Sequence, residues 1–195
     1  MKVLVLALAA LLPCLAASSD ADPGKSLGSP SAPIRIEVFS DFECPACKGL
    51  HEQVLPLLMK DYIISGKVFL VSREFPLRMH QYSREAAGYA TAAARIGRYQ
   101  QVADALFLAQ TTWEVNGKVW DAVVKVLTPA EAGKVQLLAK DPTVLSEVQR
   151  DVDAGIAAGI NQTPTMIVTH GTSRFPVAGA VNYNLLRSML DGLLK

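Results

Sequence analysis

The stretch Phe39-Ser40-Asp41-Phe42-Glu43-Cys44-Pro45-Ala46-Cys47 places two cysteines three residues apart, where the hydrophobic pattern changes. Residues 34–39 alternate apolar and charged side chains and then become apolar, as in a strand that enters a covered sheet. From residue 44 to 59, apolar side chains recur at helical spacing. The pattern therefore predicts a strand, a turn and a helix that begins at Cys44. Pro45 suits the first helical turn, because an N–H there has no partner within the helix.

The remaining apolar segments predict an α/β fold around this junction. Residues 68–73 form a second apolar strand, which completes a βαβ unit. Residues 77–162 carry apolar positions only at helical spacing, and about 85 residues exceed what one crossover helix needs. Residues 165–169 and 173–177 predict a hairpin, and residues 185–193 predict a final amphipathic helix. The expected order is β-α-β, a large all-helical insert, and β-β-α.

Local signals mark several helix boundaries. Thr128-Pro129-Ala130-Glu131 is a capping box, and Asp141-Pro142 predicts the start of another helix in the insert. Pro56 predicts a kink in the helix that begins at Cys44. The aromatic residues of the insert are expected mainly to fill its core.

Charge and composition exclude some classes of protein. The chain has 195 residues, with 19 basic and 18 acidic side chains. Without residues 1–17, which contain only the charge of Lys2, the balance is 18 to 18 and the net charge is zero. Binding of nucleic acid depends on basic side chains that displace counterions, so we expect no nucleic-acid partner. The high apolar content and the length favour one globular domain.

The first segment has the pattern of an export signal. Lys2 is followed by the apolar run of residues 3–12 and by Pro13, before small residues that suit cleavage after Ala16 or, as the next choice, after Ser18. An uncleaved membrane anchor is the alternative, although the run is shorter than the roughly 20 residues that span a bilayer. Lipidation of Cys14 is another. We therefore expect a signal peptide at 1–17, an exposed arm at 18–33 and a domain at 34–195, in a periplasmic or otherwise extracytoplasmic protein.

Removal of the signal leaves two cysteines, Cys44 and Cys47. A disulfide between them closes too small a loop to staple a domain of this size. A zinc site needs four ligands. Besides the two cysteines, the chain offers three histidines, but it has no second cysteine pair and no pair of histidines at the usual zinc spacing. The pattern favours a redox-active dithiol, with no metal and no cofactor.

These motifs together resemble the DsbA-like family of exported thiol:disulfide oxidoreductases. The resemblance rests on the stretch 39–47, on Arg73-Glu74-Phe75-Pro76-Leu77 followed by His80, on Thr163-Pro164-Thr165 before the third strand, and on the helical insert. It covers roughly Pro33 to the C-terminus. It implies a thioredoxin fold with a helical insertion.

The position of the sulfurs predicts their roles. The free amides at the start of the helix and its positive dipole end favour a thiolate on Cys44, which is expected to be the nucleophile. Cys47 lies one turn further in and is expected to resolve mixed disulfides. Pro45 and Ala46 tune the pair. Because Ala46 replaces the histidine of the best-studied DsbA proteins, we expect a Cys44 pKa between about 3.5 and about 7.

Two further positions follow from the resemblance. The Thr163-Pro164 bond is expected to be cis, with the Thr163 backbone pairing with an extended substrate; an ordinary turn is the alternative. The buried acid of thioredoxins is replaced by Val38, and Glu37 is expected on the opposite face unless a bulge intervenes. Phe42, Phe75 and Pro76 are candidates for a substrate groove or for the core.

The resemblance implies a monomer that donates its disulfide to the cysteines of unfolded, newly exported proteins. Reoxidation would require a quinone-coupled membrane protein of the DsbB or VKOR-like type. A reductase or isomerase would share the same dithiol, but isomerases of the family carry an N-terminal dimerisation domain, and only the short arm precedes Ile34. A non-catalytic binding module is the remaining alternative.

Overall fold

The computed structural model describes residues 22–195, so the expected signal peptide at 1–17 lies outside the described residues. The strands are β1 (Ser26–Leu27), β2 (Ile34–Ser40), β3 (Val68–Glu74), β4 (Thr165–His170) and β5 (Ser173–Ala178). They form one sheet in the order β1-β3-β2-β4-β5. The central strand β2 runs parallel to β3 and antiparallel to β4. The βαβ unit and the hairpin expected from the sequence are both present.

The helices follow the predicted order. They are α1 (Pro45–Gly49), α2 (Leu55–Leu58), α3 (Ser83–Ala94), α4 (Tyr99–Leu108), α5 (Gln110–Asn116), α6 (Val119–Val123), α7 (Pro129–Leu138), α8 (Pro142–Ala157) and α9 (Tyr183–Leu193). Helices α3 to α8 stand between β3 and β4, so the fold class predicted from the sequence is confirmed. Over residues 22–195, no helix combines the length and the apolar character needed to cross a membrane.

The helix that begins after Cys44 contains two wide π turns, Leu50–Val54 and Met59–Ile63. At the end of the first, the Leu55 N–H bonds the Leu50 carbonyl five residues back. Pro56 follows immediately and has no N–H to give to a regular helical turn. The interruption expected at Pro56 takes the form of this wider turn.

Side-chain caps begin two helices of the insert, as the sequence predicts. Thr128 Oγ1 accepts the Glu131 N–H at 3.3 Å, and Glu131 Oε2 accepts the Thr128 N–H at 2.8 Å. Asp141 Oδ1 accepts the Thr143 N–H at 2.8 Å. Each cap satisfies backbone donors that have no partner within the helix.

Separate apolar clusters stabilise the sheet and the helical insert. Ile36, Val38 and other residues of the sheet pack against the first helix and against Leu186 of α9. The insert has its own core, which includes Leu106 and Trp113, and each large apolar side chain buried there contributes about 1.5–3 kcal/mol. Phe42, Cys44 and Cys47 belong to this second cluster. The dithiol therefore lies where the sheet and the insert meet.

The N-terminal arm, expected to be exposed over residues 18–33, joins the fold in part of its described length. Ser26–Leu27 pairs with β3 as an edge strand. Lys25 is only 3% exposed, and its ammonium group bonds the Asp151 carboxylate. The expectation was wrong for residues 25–27 because the polar composition of the arm does not reveal a buried ion-pair partner in α8. Residues 28–31 are exposed as expected.

Candidate active site

Cys44 occupies the capping position at the start of α1, with an extended backbone (φ −81°, ψ 121°). Pro45 takes the first helical position, as predicted, and is exposed. The Cys44 carbonyl accepts the N–H groups of Cys47 and Lys48, each at 3.1 Å. Both cysteines are free thiols, with residue exposures of 7% for Cys44 and 1% for Cys47. The turn thus brings Cys44 nearer to the surface than Cys47.

The surroundings of Cys44 favour its thiolate. The Cys47 thiol, as a hydrogen-bond donor, lowers the pKa of Cys44 most, while burial opposes this effect. Thr163 and the amides of Cys47 and Ala46 lower it further, and the resulting pKa is about 5. This value lies in the range expected from the sequence. The amides at the start of the helix lower the pKa of Cys44, as expected, but the sequence did not reveal the larger effect of the Cys47 thiol.

The surroundings of Cys47 favour the neutral thiol. Its sulfur accepts the Asp41 N–H at 3.4 Å. Burial raises the pKa of Cys47 well above its ordinary value, and the hydrogen bond to Cys44 raises it further. At neutral pH, the pair therefore holds a thiolate on Cys44 and a proton on Cys47.

The Thr163-Pro164 bond is cis, as the family resemblance implies. The Thr163 carbonyl oxygen lies 3.4 Å from Cys44 Sγ, and both residues of the pair are buried. The Pro164 carbonyl accepts the Gly179 N–H at 2.8 Å, just after β5. The hairpin thus holds this loop directly against the dithiol.

Gln110 holds the active-site turn from the side of the insert. Its Nε2 group donates to the carbonyl oxygens of Phe42 at 2.6 Å and Cys44 at 3.1 Å. The side chain is buried at the start of α5, and Gln110 is 1% exposed. Sequence reasoning missed this residue, because a single glutamine in a helix gives no signal of such a contact.

Asp41 is a second residue that sequence reasoning missed. It is 1% exposed, and its Oδ1 accepts the Glu43 N–H at 2.8 Å. Its Oδ2 accepts the Leu77 N–H at 2.7 Å and lies 2.8 Å from His80 Nδ1. An aspartate two residues before the amide it bonds is a recognisable turn signal. The contacts with the loop after β3 leave no such local pattern.

Glu37 points away from the dithiol. Pairing between β2 and β3 is continuous from Ile34 to Ser40, so no bulge re-aims the side chain. Its Oε1 accepts bonds from Arg73 at 2.8 and 3.1 Å. Burial by itself would raise the pKa of Glu37, but these bonds bring it below the ordinary value. Glu37 is thus an ion-pair residue on the face opposite Val38.

Two of the three candidates for an apolar substrate groove lie in the interior. Phe42 is 3% exposed and packs on Phe107 with ring centroids 4.9 Å apart. Phe75 is 6% exposed and meets Phe39 edge to face at 6.1 Å. Only Pro76 is partly exposed. For Phe42 and Phe75 the core alternative is therefore correct.

A cavity of about 310 Å³ lies behind Cys47, between the first helix and α4. Val38, Leu50 and Phe107 give it apolar walls, while His51 and Asp104 are polar residues of its lining. His51 Nε2 lies 2.7 Å from Asp104 Oδ1. Cys47 thus borders this cavity, whereas neither Cys44 nor Thr163 lines it.

The fold and the dithiol define a thioredoxin-fold protein with a helical insertion. A thioredoxin family matches residues 20–191, and the chain belongs to that family. A thioredoxin-like oxidoreductase from Silicibacter pomeroyi aligns with 87% of this chain and 92% of its own, at 26% identity and a TM-score of 0.71. Wolbachia pipientis alpha-DsbA1 aligns with 87% of this chain and 89% of its own, at 21% identity and the same TM-score of 0.71. The predicted membership of the DsbA-like group is confirmed.

Among curated proteins, the chain resembles a probable disulfide bond formation protein D from Bacillus cereus. The match is 46% identical over 52 residues, which are 27% of this chain and 24% of the relative. The chain spans about a quarter of the length of the curated relatives that it matches first.

Proposed function

We propose that this chain is an exported thiol:disulfide oxidoreductase that donates a disulfide to the cysteines of newly exported proteins. The observation that carries the proposal is the unequal environment of its two sulfurs. Cys44 is the more accessible and has a pKa of about 5, while Cys47 is buried and has a raised pKa. Such an arrangement suits a nucleophile or leaving group paired with a resolving thiol.

In the oxidising direction, a substrate thiolate attacks Cys44 of the Cys44–Cys47 disulfide. The bond between the two cysteines breaks, and Cys47 leaves and takes up a proton. A second substrate thiolate then attacks the substrate sulfur of the mixed disulfide, and Cys44 leaves as the thiolate. The substrate loses two electrons and gains a disulfide, and the dithiol is reduced. A low pKa favours this direction because a stable Cys44 thiolate is a good leaving group.

The Thr163-Pro164 loop is the proposed binding site for the substrate chain. Thr163 faces Cys44 through its carbonyl oxygen, and Pro164 presents no N–H to a substrate chain. An extended peptide bound along this loop would pair with the Thr163 backbone and hold its cysteine against Cys44. Pro45 and Ala46 would tune the same sulfur from the helix side.

The cellular setting is part of the proposal. Residues 1–17 would direct export and be removed, which leaves the domain over residues 34–195 in an extracytoplasmic compartment. The protein would act as a monomer on cysteine-containing unfolded proteins. A quinone-coupled membrane protein of the DsbB or VKOR-like type would return the dithiol to the disulfide form.

The equilibrium reduction potential of the Cys44/Cys47 pair in glutathione buffers tests the direction of transfer. A value near that of DsbA, about −120 mV, supports disulfide donation. A value near that of thioredoxin, about −270 mV, would replace it with the reductase alternative. The Cys44→Ser variant is the control, since it replaces one sulfur by oxygen and cannot form the disulfide.

A further inference from the structure

The loop between β3 and α3 is fastened to the segment that precedes Cys44. Asp41 Oδ2 holds the Leu77 N–H and the His80 ring, and Glu43 Oε2 accepts the Tyr82 N–H at 2.8 Å. These bonds bring His80, 36 residues beyond Cys44 in the sequence, to the dithiol region. Its side chain is 19% exposed, whereas that of Asp41 is fully buried.

The hydrogen bonds define which atom of His80 carries a proton. A carboxylate only accepts hydrogen bonds, so the Nδ1 atom, 2.8 Å from Asp41 Oδ2, must be the donor. With a second proton, on Nε2, the ring is an imidazolium. The buried negative charge of Asp41 favours that form.

We propose that His80, oriented by Asp41, is the cation of the active site and stabilises the Cys44 thiolate in place of a histidine between the two cysteines. Asp41 is then a positioning residue. The inference rests on the proposed function and deepens it, because it names a source of oxidising power that Ala46 does not provide.

Charge balance at the site supports this role. The Asp41 carbonyl accepts the Cys44 N–H at 3.1 Å, and the Asp41 N–H reaches Cys47 Sγ, so Asp41 contacts the backbone of Cys44 and the sulfur of Cys47. If His80 were neutral, the buried carboxylate of Asp41 would oppose a second negative charge on Cys44. With an imidazolium, the two charges of the pair cancel. The His80 ring contacts Asp41, and the charges of Glu43 and Cys44 also act on it.

The pKa of His80 responds to the same groups. Burial lowers the pKa of His80, but the hydrogen bond and charge of Asp41 outweigh burial, and the charges of Glu43 and Cys44 add to the rise. Interaction energies between two sites are reciprocal. If Cys44 thiolate favours the imidazolium, the imidazolium favours the thiolate to the same extent.

Nuclear magnetic resonance of the wild-type protein tests this reciprocity without any substitution. The chain has only three histidines, so the ring signals of His80 can be assigned and followed with pH. We expect the pKa of His80 to fall by about one unit when the dithiol is oxidised to the disulfide, since the Cys44 charge then disappears. His170, which pairs with Ile34 at the other end of β2, is the control, and its ring signals should be the same in both redox states.

The variant His80→Gln separates the effect of the charge of His80 from the effect of its hydrogen bond to Asp41. Glutamine retains an N–H donor for Asp41 but carries no charge. We expect the Cys44 pKa, followed by thiolate absorbance, to rise by about one unit. The dithiol–glutathione equilibrium should become about tenfold less oxidising, which is about 30 mV. His170→Gln is the matched control and should leave both quantities unchanged.

Each outcome bears on one of the two proposals. A His80 pKa that is equal in both redox states, or a His80→Gln variant with the wild-type Cys44 pKa and equilibrium, would overturn the role of His80. Such a result from an oxidising wild-type protein would leave the proposed function intact. Conversely, a reducing wild-type potential with a redox-linked His80 pKa would reject the oxidase function and keep the inference.

Discussion

The sulfur of Cys44 lies 3.4 Å from the carbonyl oxygen of Thr163, a residue 119 positions further along the chain. Cys47 lies one helical turn further in and is 1% exposed. A substrate bonded to Cys44 would thus lie by the Thr163-Pro164 loop, while the resolving thiol attacks from the interior. This geometry separates the expected effects of the two cysteines.

Cys44→Ser should abolish disulfide exchange, because the accessible sulfur is gone. Cys47→Ser should instead accumulate mixed disulfides with substrates, because no buried thiol remains to resolve them. Non-reducing electrophoresis, followed by mass spectrometry of the trapped species, measures both effects. Full oxidase turnover by Cys47→Ser would contradict the resolving role.

The reactivity of Cys44 should follow its thiolate fraction. We expect the rate of alkylation of the reduced protein to rise with pH around a midpoint near 5, in line with the pKa of Cys44. Cys47 should stay unmodified at neutral pH because it is buried and protonated. Peptide mapping after brief exposure to iodoacetamide distinguishes the two sites. A midpoint close to about 8.5, the ordinary cysteine value, would contradict the stabilised thiolate.

Much of the fold follows from short-range patterns. The strand at residues 34–40, the helix start at Cys44 and the caps at Thr128 and Asp141 depend on neighbours within a few residues, which the sequence displays directly. The order of these elements then restricts the topology to a βαβ unit and a returning hairpin. The N-terminal edge strand escaped prediction because two residues carry no periodic signal.

The supporting shell of the site could not be predicted in the same way. Asp41 meets His80 across 39 positions, and Gln110 meets Cys44 across 66. Each contact joins a loop to an element that only tertiary packing brings near. Residue type reveals the chemistry of the two cysteines, but it does not reveal which polar groups will be buried beside them.

Gln110→Ala should destabilise the protein through the active-site turn. The carbonyl groups of Phe42 and Cys44 would lose a buried donor, and each unsatisfied group costs about 1–3 kcal/mol. We expect the free energy of unfolding to fall by about 2–4 kcal/mol in urea titrations. The exposed Gln136→Ala in α7 should stay within about 0.5 kcal/mol of wild type. Equal effects of the two substitutions would refute the anchoring role of Gln110.

Gly155 allows α8 to pack closely on the aromatic pair under the sheet. A Cβ atom there would lie 2.5 Å from Phe75 Cε2 and 3.1 Å from Phe39 Cδ1. Gly155→Ala should therefore cost about 1–3 kcal/mol, although alanine is the better helix former. Gly133→Ala in α7, with open space around it, should instead gain about 0.5–1 kcal/mol. Thermal unfolding of both variants measures these effects. Stabilisation by Gly155→Ala would show that the rings of Phe39 and Phe75 move aside freely.

Glu74 should make stability depend on pH. It is 1% exposed at the end of β3, and its Oε1 accepts the Tyr99 hydroxyl at 2.8 Å. Burial is the main reason that its pKa rises from 4.5 to about 7; the charge of Lys25 opposes the rise, and that of Asp151 adds to it. Because the folded-state pKa is the higher one, this contribution is full below about pH 4.5 and is lost as pH rises through 7.

The variant Glu74→Gln keeps an acceptor for Tyr99 and cannot ionise. We expect the free energy of unfolding of Glu74→Gln to exceed that of wild type by about 3 kcal/mol more at pH 8 than at pH 4.5. Urea titrations across this range measure the difference. Glu52→Gln, at an exposed position in the first helix, should retain the wild-type pH dependence. A constant offset between Glu74→Gln and wild type would mean that Glu74 has the same pKa in the folded and unfolded protein, and it would contradict the rise in pKa that burial causes.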